Sequence, residues 1–521
     1  MKKILLITIG LAMACNSTQK TASEPQIDTA KVMNVGPTTY AETITEAELK
    51  EHLYAYASDE FEGRETGKPG QKKAVEYIKA EYLKMGIPAA KGNADYFQNV
   101  PLELKNLPTG SVKINGEELA IGDHIMSFRE AQGKVDELVY VGYGIEEGDY
   151  SDYKGMDVSG KWVLMKGGEP KKEDGTFAIS GTDEASNWSN ISEGPGLRED
   201  LANQKGVKGI IYFDAANFSR YKRYFEYMKT NDSGQMSFKN EESEAAMLVV
   251  DAKIAAQLHA DISKDDEPKV IPVAFEVDFI TSNTPVDTEN VVAFLAGSEK
   301  PEEYVIISSH LDHIGITADG QINNGADDDG SGTVALLEIA EALKKAADAG
   351  NGPKRSVVFL HVTGEEKGLL GSQYYTDSDP IFPLAQTVAN LNIDMIGRID
   401  PKREGDRNYV YLIGSDKLST ELHELSEEVN KTYMNIELDY TYNDENDPNR
   451  FYYRSDHYNF AKNNIPIIFY FNGTHDDYHK PGDTPDKINY DLLENRTRLV
   501  FYTAWEVANR AARVVVDKAA K

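Results

Sequence analysis

The chain has 521 residues, of which 40 % are hydrophobic, 10 % aromatic and 27 % charged, a balance that supports packed cores and excludes wholesale disorder. Its 55 basic against 86 acidic residues leave a formal charge of −31, which opposes nucleic acid and anionic membrane surfaces as partners. The only cysteine is Cys15, so no intrachain disulfide or zinc-finger framework is available. At this length two domains are expected.

Lys2 and Lys3 precede an apolar run, "ILLITIGLAMA", too short to span a bilayer but suited to a secretory signal. "AMAC" resembles a bacterial lipoprotein signal, in which cleavage precedes a cysteine that is then lipidated. The expectation is a signal over 1–14, a flexible polar tether over 15–40, and export to the cell envelope (periplasm or outer membrane). The only membrane partner would be a lipid on Cys15. Ordinary cleavage after Ala14 is the alternative.

In "ITEAELKEHLYAYASDEFEG" the apolar residues Leu49, Leu53 and Tyr56 fall at helical spacing. A Gly-rich loop, "GRETGKPG", follows. A second helix, "QKKAVEYIKAEYLKMG", places Ala74, Tyr77, Ile78 and Tyr82 on one stripe and ends at Gly86. From about 131 the texture changes to short strands and frequent turns ("DELVYVGYGI", "GKWVLMKGG", "GVKGIIYFDA", "AAMLVV"), read as a compact β-rich module over 131–279. After it come "YVIISSH", "GTVALLEIAEALKKAADA", "RSVVFLHVTG", "TVANLNIDMIG" and "IPIIFYFNG". Such strand–helix alternation indicates an α/β fold with a mainly parallel sheet covered on both faces.

Ligands in open α/β sheets gather beyond the carboxyl ends of the strands. The segments just past these strands carry His310 and Asp312, the triple aspartate Asp327–Asp328–Asp329, Glu365 and Glu366, Asp394, and His479. So many acids on one rim are unfavourable unless cations neutralise them or protons bind. Oxygen and imidazole groups without thiolate suit zinc, with manganese or cobalt as other divalent choices. Taken singly each piece has a bland reading: "HLD" as packing, paired glutamates as a helix start, the aspartates as a turn or cap. Their joint occurrence at successive strand ends favours a metal site. The protein groups are too many for one tetrahedral ion and suit two sharing a carboxylate.

"SSHLDHIG", "NGADDDGSGT", "VTGEEKGLLGS", "NIDMIGR" and "YHKPGDT" together resemble the two-zinc aminopeptidase family, the leucyl aminopeptidase and glutamate carboxypeptidase-type zinc exopeptidases. "LVYVGYGI", "DYKGMDVSGKWVLMKGG" and "QKGVKGIIYFDA" resemble the protease-associated (PA) domain inserted in many members. The resemblance implies a three-layer α/β/α peptidase domain over 41–130 and 280–517, interrupted by a PA domain at 131–279. It implies two Zn²⁺ with Asp327 bridging, His310 and Asp394 on one ion, and Glu366 and His479 on the other. The same resemblance makes Glu365 the general base and places the family's cis peptide at Asp327–Asp328. Tyr478 is the candidate donor to an oxyanion. Asp312, Asp328, Asp483 and Asp456 are expected to support the ligands, with Asp312 orienting His310 and Asp483 partnering His479. His475 is read as a neighbour lining the pocket and His361 as a buried, hydrogen-bonded core residue. "RSDHYNF" imitates part of a hydrolase triad, but three consecutive residues cannot meet in triad geometry.

The implied activity is removal of N-terminal residues from peptides by metal-activated water. A glutamate carboxypeptidase-type enzyme is the alternative, for which Arg398, Arg450 and Arg454 are available to clamp a carboxylate. A one-zinc glutaminyl cyclase and a non-catalytic binding protein are further alternatives. Side-chain preference, physiological substrate and oligomeric state are not legible.

Overall fold

The computed structural model describes residues 35–90, 95–230, 235–239 and 245–518, so Cys15 and most of the expected tether lie outside the described residues. The first sheet has nine strands: β1 (Phe97–Lys105), β2 (Gln235–Phe238), β3 (Asn283–Leu295), β4 (Lys300–His310), β5 (Arg355–Val362), β6 (Thr387–Ile393), β7 (Tyr409–Ile413), β8 (Glu437–Asp439) and β9 (Ile467–Phe471). Their order is β2-β1-β3-β5-β4-β6-β9-β7-β8. The central strands β5, β4, β6 and β9 are parallel, as is the edge pair β7–β8, while β3 and β7 join the centre antiparallel, so the sheet is mixed with a parallel centre.

The helices form where sequence signals say they should. Helix α1 (Glu46–Tyr56) starts at a capping box: Thr45 Oγ1 accepts from Glu48 N–H and donates to the Glu48 carboxylate at 2.7 Å. Helix α2 (Pro69–Met85) has proline at its first position and stops at Gly86, whose φ of +68° opens a C-terminal cap with Ile87 N–H bonded to Tyr82 O. These two helices, with α3 (Gly332–Asp348) and α4 (Tyr490–Asn509), cover one face of the sheet, where Leu53, Ile78, Leu337 and Val500 meet Val305, Ile307 and Phe359. The alternate residues Ile306, Val358 and Leu360 face the other way, against Tyr375 and Phe460 from short helices. This is the three-layer α/β/α arrangement expected.

A second, eight-stranded sheet is built from Glu117–Ala120, Thr109–Ile114, Lys269–Ile280, Ala131–Tyr140, Trp162–Lys166, Gly209–Phe213, Ala246–Val250 and Ile125–Met126, in that spatial order. Its core is separate: Tyr140, Leu164 and Ile211 pack with Ile254 and Leu258 on one face, and Val163, Ile210 and Tyr212 with Ala202 and Phe225 on the other. The sheet therefore begins at Thr109, earlier than the change of texture at 131, because its first strands are short and half-exposed and carry little periodic signal. Within the same span, β2 returns to pair with β1 of the first sheet. No helix among the described residues is long and apolar enough to cross a membrane.

Candidate metal centre

Strands β4, β5, β6 and β9 run in one direction, so the segments after them share one rim of the sheet. His310 is the last residue of β4, Glu365 and Glu366 follow β5, Asp394 follows β6, and His475 to Asp483 follow β9. The loop carrying the three aspartates returns to that rim before α3. Arg64, fully buried and stacked on Tyr56 at 4.7 Å, holds this loop through the carbonyls of Asn324 (2.6 Å) and Gly325 (2.8 Å). Nothing in sequence spacing marked Arg64.

The three aspartates point three ways. Asp327 accepts from Gly397 N–H at 2.7 Å and Asn472 Nδ2 at 3.1 Å, and faces His475 Nε2 at 3.2 Å. Asp329 accepts from the N–H groups of Gly332 (2.9 Å), Met395 (3.1 Å) and His310 (3.2 Å). Asp328 stands in the centre, with Oδ1 3.2 Å from His310 Nε2 and Oδ2 3.1 Å from His479 Nε2. The position expected for Asp327 is therefore held by Asp328, and the cis peptide follows it, at Asp328–Asp329 rather than Asp327–Asp328. Asp329 comes within ligand distance of His310 and Asp394, but backbone donors already occupy its oxygens.

Two groups form around Asp328. On one side His310 Nε2 lies 3.6 Å from Asp394 Oδ1, and Ser455 donates to the other Asp394 oxygen at 2.7 Å. On the other side Glu366 Oε2 is 3.1 Å from His479 Nε2. His313 is fully buried with Nδ1 2.8 Å from Glu366 Oε1 and 3.7 Å from Asp328 Oδ2. Its signal was its place in "HLDH", one residue beyond the group already selected.

The supporting residues differ in part from expectation. His310 Nδ1 lies 3.1 Å from the backbone carbonyl of Asp312, while the Asp312 carboxylate accepts from Thr66 (2.6 Å) and Glu365 N–H (3.2 Å). Orientation of His310 by Asp312 thus runs through the main chain, leaving Nε2 free to ligate. Asp483 does not partner His479; it accepts the N–H groups of Asp327 (2.9 Å) and Asp328 (3.1 Å) and fixes the loop. Asp456 accepts from Ser372 at 2.5 Å, and His457 binds the Tyr452 carbonyl at 2.8 Å, so "RSDH" makes no triad. His361 is buried between Tyr82 (2.8 Å) and Ser309 (3.2 Å), in keeping with a hydrogen-bonded core histidine.

The rim holds more negative charge than its hydrogen bonds absorb. Burial pushes Glu365 well above the usual carboxylate range; His310 opposes this, while Glu366 and Asp394 reinforce it. Burial would lower His310, but Glu365, Asp328 and Asp394 override it and raise the imidazole well above its ordinary value. The cluster thus demands positive charge. His310 Nε2, His313 Nε2 and Asp328 Oδ2 are buried without a hydrogen-bond partner among the described residues, as ligand atoms would be. Nitrogen and carboxylate donors without thiolate fit zinc.

Asp328, Glu365, Asp394, Tyr478 and His479 line a cavity whose far wall is apolar: Met395, Phe451, Phe469 and Phe471. Arg454 also lines it, stacked on Phe451 at 4.9 Å, whereas Arg398 is paired with Asp477 (2.9 Å) and Arg450 with Glu193 (2.9 Å). Met395 and His479 hold left-handed backbone (φ +59° and +56°), a local cost of order 1 kcal/mol each that clusters at functional sites.

This rim lies inside a region with known relatives. Residues 290–504 match peptidase family M28. The M28 region takes in every residue of the two groups around Asp328. One relative, named "Probable glutamate carboxypeptidase LAMP1", from Arabidopsis thaliana, is 32 % identical over 123 residues, 24 % of this chain and 17 % of that protein. Leucine aminopeptidase 2 of Arthroderma otae is 28 % identical over 245 residues, 43 % of this chain and 45 % of its own length. The chain thus spans less than half the length of either. An aminopeptidase structure from Aneurinibacillus sp. strain AM-1 superposes with a TM-score of 0.51 over 93 % of this chain and 98 % of that one, at 19 % identity, a likeness of fold.

Proposed function

We propose that the protein is a zinc-dependent exopeptidase that removes N-terminal residues from peptides. The observation that carries this reading is Asp328, whose two carboxylate oxygens face His310 and His479 on opposite sides, each histidine backed by a further carboxylate. On this reading His310, Asp328 and Asp394 would hold one ion and Asp328, Glu366 and His479 a second, with His313 beside the latter. Such ions polarise a carbonyl and lower the pKa of bound water toward neutrality.

The remaining steps belong to the chain. With the charge of its carboxylate neighbours neutralised, Glu365 would be ionised, and its carboxylate at the cavity wall takes a proton as water oxygen attacks the peptide carbonyl carbon. When the C–N bond breaks, the same carboxyl returns that proton to the leaving amine. Tyr478, held by stacking on His479 at 3.9 Å, donates toward the oxyanion. Met395, Phe451, Phe469 and Phe471 supply an apolar wall for the residue being removed.

A second reading, a carboxypeptidase, is favoured by Arg454, a guanidinium at the cavity suited to a substrate carboxylate. Digests of defined peptides read by mass spectrometry, with and without chelator, separate the two by the end that shortens. Glu365→Gln is expected to lower kcat by about 10²–10⁴-fold with zinc per chain unchanged. Full activity in that variant would end the mechanism.

The same proposal takes the second sheet as a PA-type insertion over 109–280, supported by its separate core and by the motifs "LVYVGYGI", "DYKGMDVSGKWVLMKGG" and "QKGVKGIIYFDA". It also takes Cys15 as a lipid-bearing residue. Cys15→Ala releasing the protein from the membrane fraction is the expected outcome.

A further inference from the structure

At the carboxyl ends of Trp162–Lys166 and Gly209–Phe213, in the second sheet, lies a cavity of about 350 Å³. This is where open α/β sheets gather ligands. Tyr143, Trp188 and Tyr212 line it together with Lys166 and Asp214. At Gly167 a Cβ would come 2.8 Å from the Tyr212 hydroxyl and 3.0 Å from Asp214 Cγ, so a larger residue would displace those side chains.

Asp214 is only 8 % exposed. Its partners are neutral: Asn217 N–H at 3.2 Å, Asn217 Nδ2 at 2.8 Å and the Tyr212 hydroxyl at 3.5 Å, with no ion pair among the described residues. Neither nearby cation hydrogen-bonds to it, although the Arg198 charge acts on it through space. Lys166 donates to Asp266 at 2.6 Å and to the Asp265 carbonyl at 2.9 Å. Arg198 spends its donors on the carbonyls of Tyr143, Trp188, Gly194 and Gly168. Asp214 Oδ1 accepts the Asn217 N–H just before the helix Phe218–Thr230 and Oδ2 accepts Asn217 Nδ2, and each carboxylate oxygen keeps lone-pair capacity for a ligand.

A nearly buried carboxylate held only by neutral donors favours an incoming cation. Aromatic faces beside it add cation–π attraction, and the chain shows that pose itself, with Lys166 Nζ 4.4 Å above the Tyr143 ring. A net charge of −31 draws basic peptides from a distance. We propose that this cavity receives a lysine or arginine side chain of a peptide, its charge on Asp214 and its stem along Trp188 and Tyr212. Ile191 and Pro195 line the cavity, and Glu193 between them pairs with Arg450, the residue before Phe451 of the metal-centre cavity. That this peptide is also the substrate rests on the exopeptidase reading; the binding does not.

The test measures binding of Nα-acetyl-lysine amide, Nα-acetyl-arginine amide and the uncharged Nα-acetyl-norleucine amide to the full chain by calorimetry, in chelator so that hydrolysis plays no part. The two basic ligands are expected to compete with each other and to bind at least about tenfold more tightly than norleucine. Asp214→Asn, with its thermal unfolding checked, is expected to remove that preference, and Tyr143→Leu to weaken it. Equal binding of norleucine, binding that needs zinc, or a folded Asp214→Asn that keeps the preference would overturn the assignment. Absence of peptidase activity in the zinc-loaded chain, with this binding retained, would count against the exopeptidase reading alone.

Discussion

Asp327, Asp328 and Asp329 have the same side chain and consecutive positions, yet three different surroundings. Asp327→Asn should keep metal and cost about 10–100-fold in activity, as loss of a supporting carboxylate does. Asp328→Asn should cost more and release zinc, since its two oxygens face both of the proposed ligand groups. Zinc per chain and kcat/KM measured on the two variants check this, and the reverse order would restore Asp327 to the centre. Composition and strand-end position were enough to select the aspartate run. Which member faces the histidines depends on the backbone turn, on Asp483 holding two N–H groups, and on Arg64 holding two carbonyls from far away in the chain.

Among the elements, those with strong local signals were legible. Helix α2 ends at Gly86 because a left-handed residue there closes the C-terminal cap. The site has room for a methyl, whose nearest neighbour would be Lys344 Cε at 3.9 Å, so Gly86→Ala should cost only the backbone term, about 1–2 kcal/mol. Urea denaturation should show that loss while activity stays unchanged. The parallel strands β4, β5 and β6 were equally plain, being fully or largely buried β-branched runs. The short strands Thr109–Ile114 and Glu117–Ala120 were not, because an exposed edge leaves no hydrophobic period to read. His313 escaped for a related reason: a histidine beside one already chosen carries no spacing of its own.

Among the described residues, the core packed on the nine-stranded sheet is separate from the core packed on the eight-stranded sheet. Only the first borders the metal centre. A bound ion at a thousandfold excess over its Kd adds about 4 kcal/mol to the stability of the body that holds it. Chelation should therefore lower one calorimetric transition and leave the other in place, and Asp328→Asn should abolish the difference. A single transition shifting as a unit would mean that the two bodies unfold together.

Much of this protein was present in one dimension: an α/β body, a β-rich interruption, and acids and histidines at successive strand ends. Those features survive because burial imposes a period and strand ends collect ligands wherever the chain later goes. The central aspartate, the main-chain support of His310, the Arg64 clamp and the Asp214 cavity were decided only by tertiary structure. Each depends on atoms brought together from distant segments, and distance along a chain carries no information about direction in space.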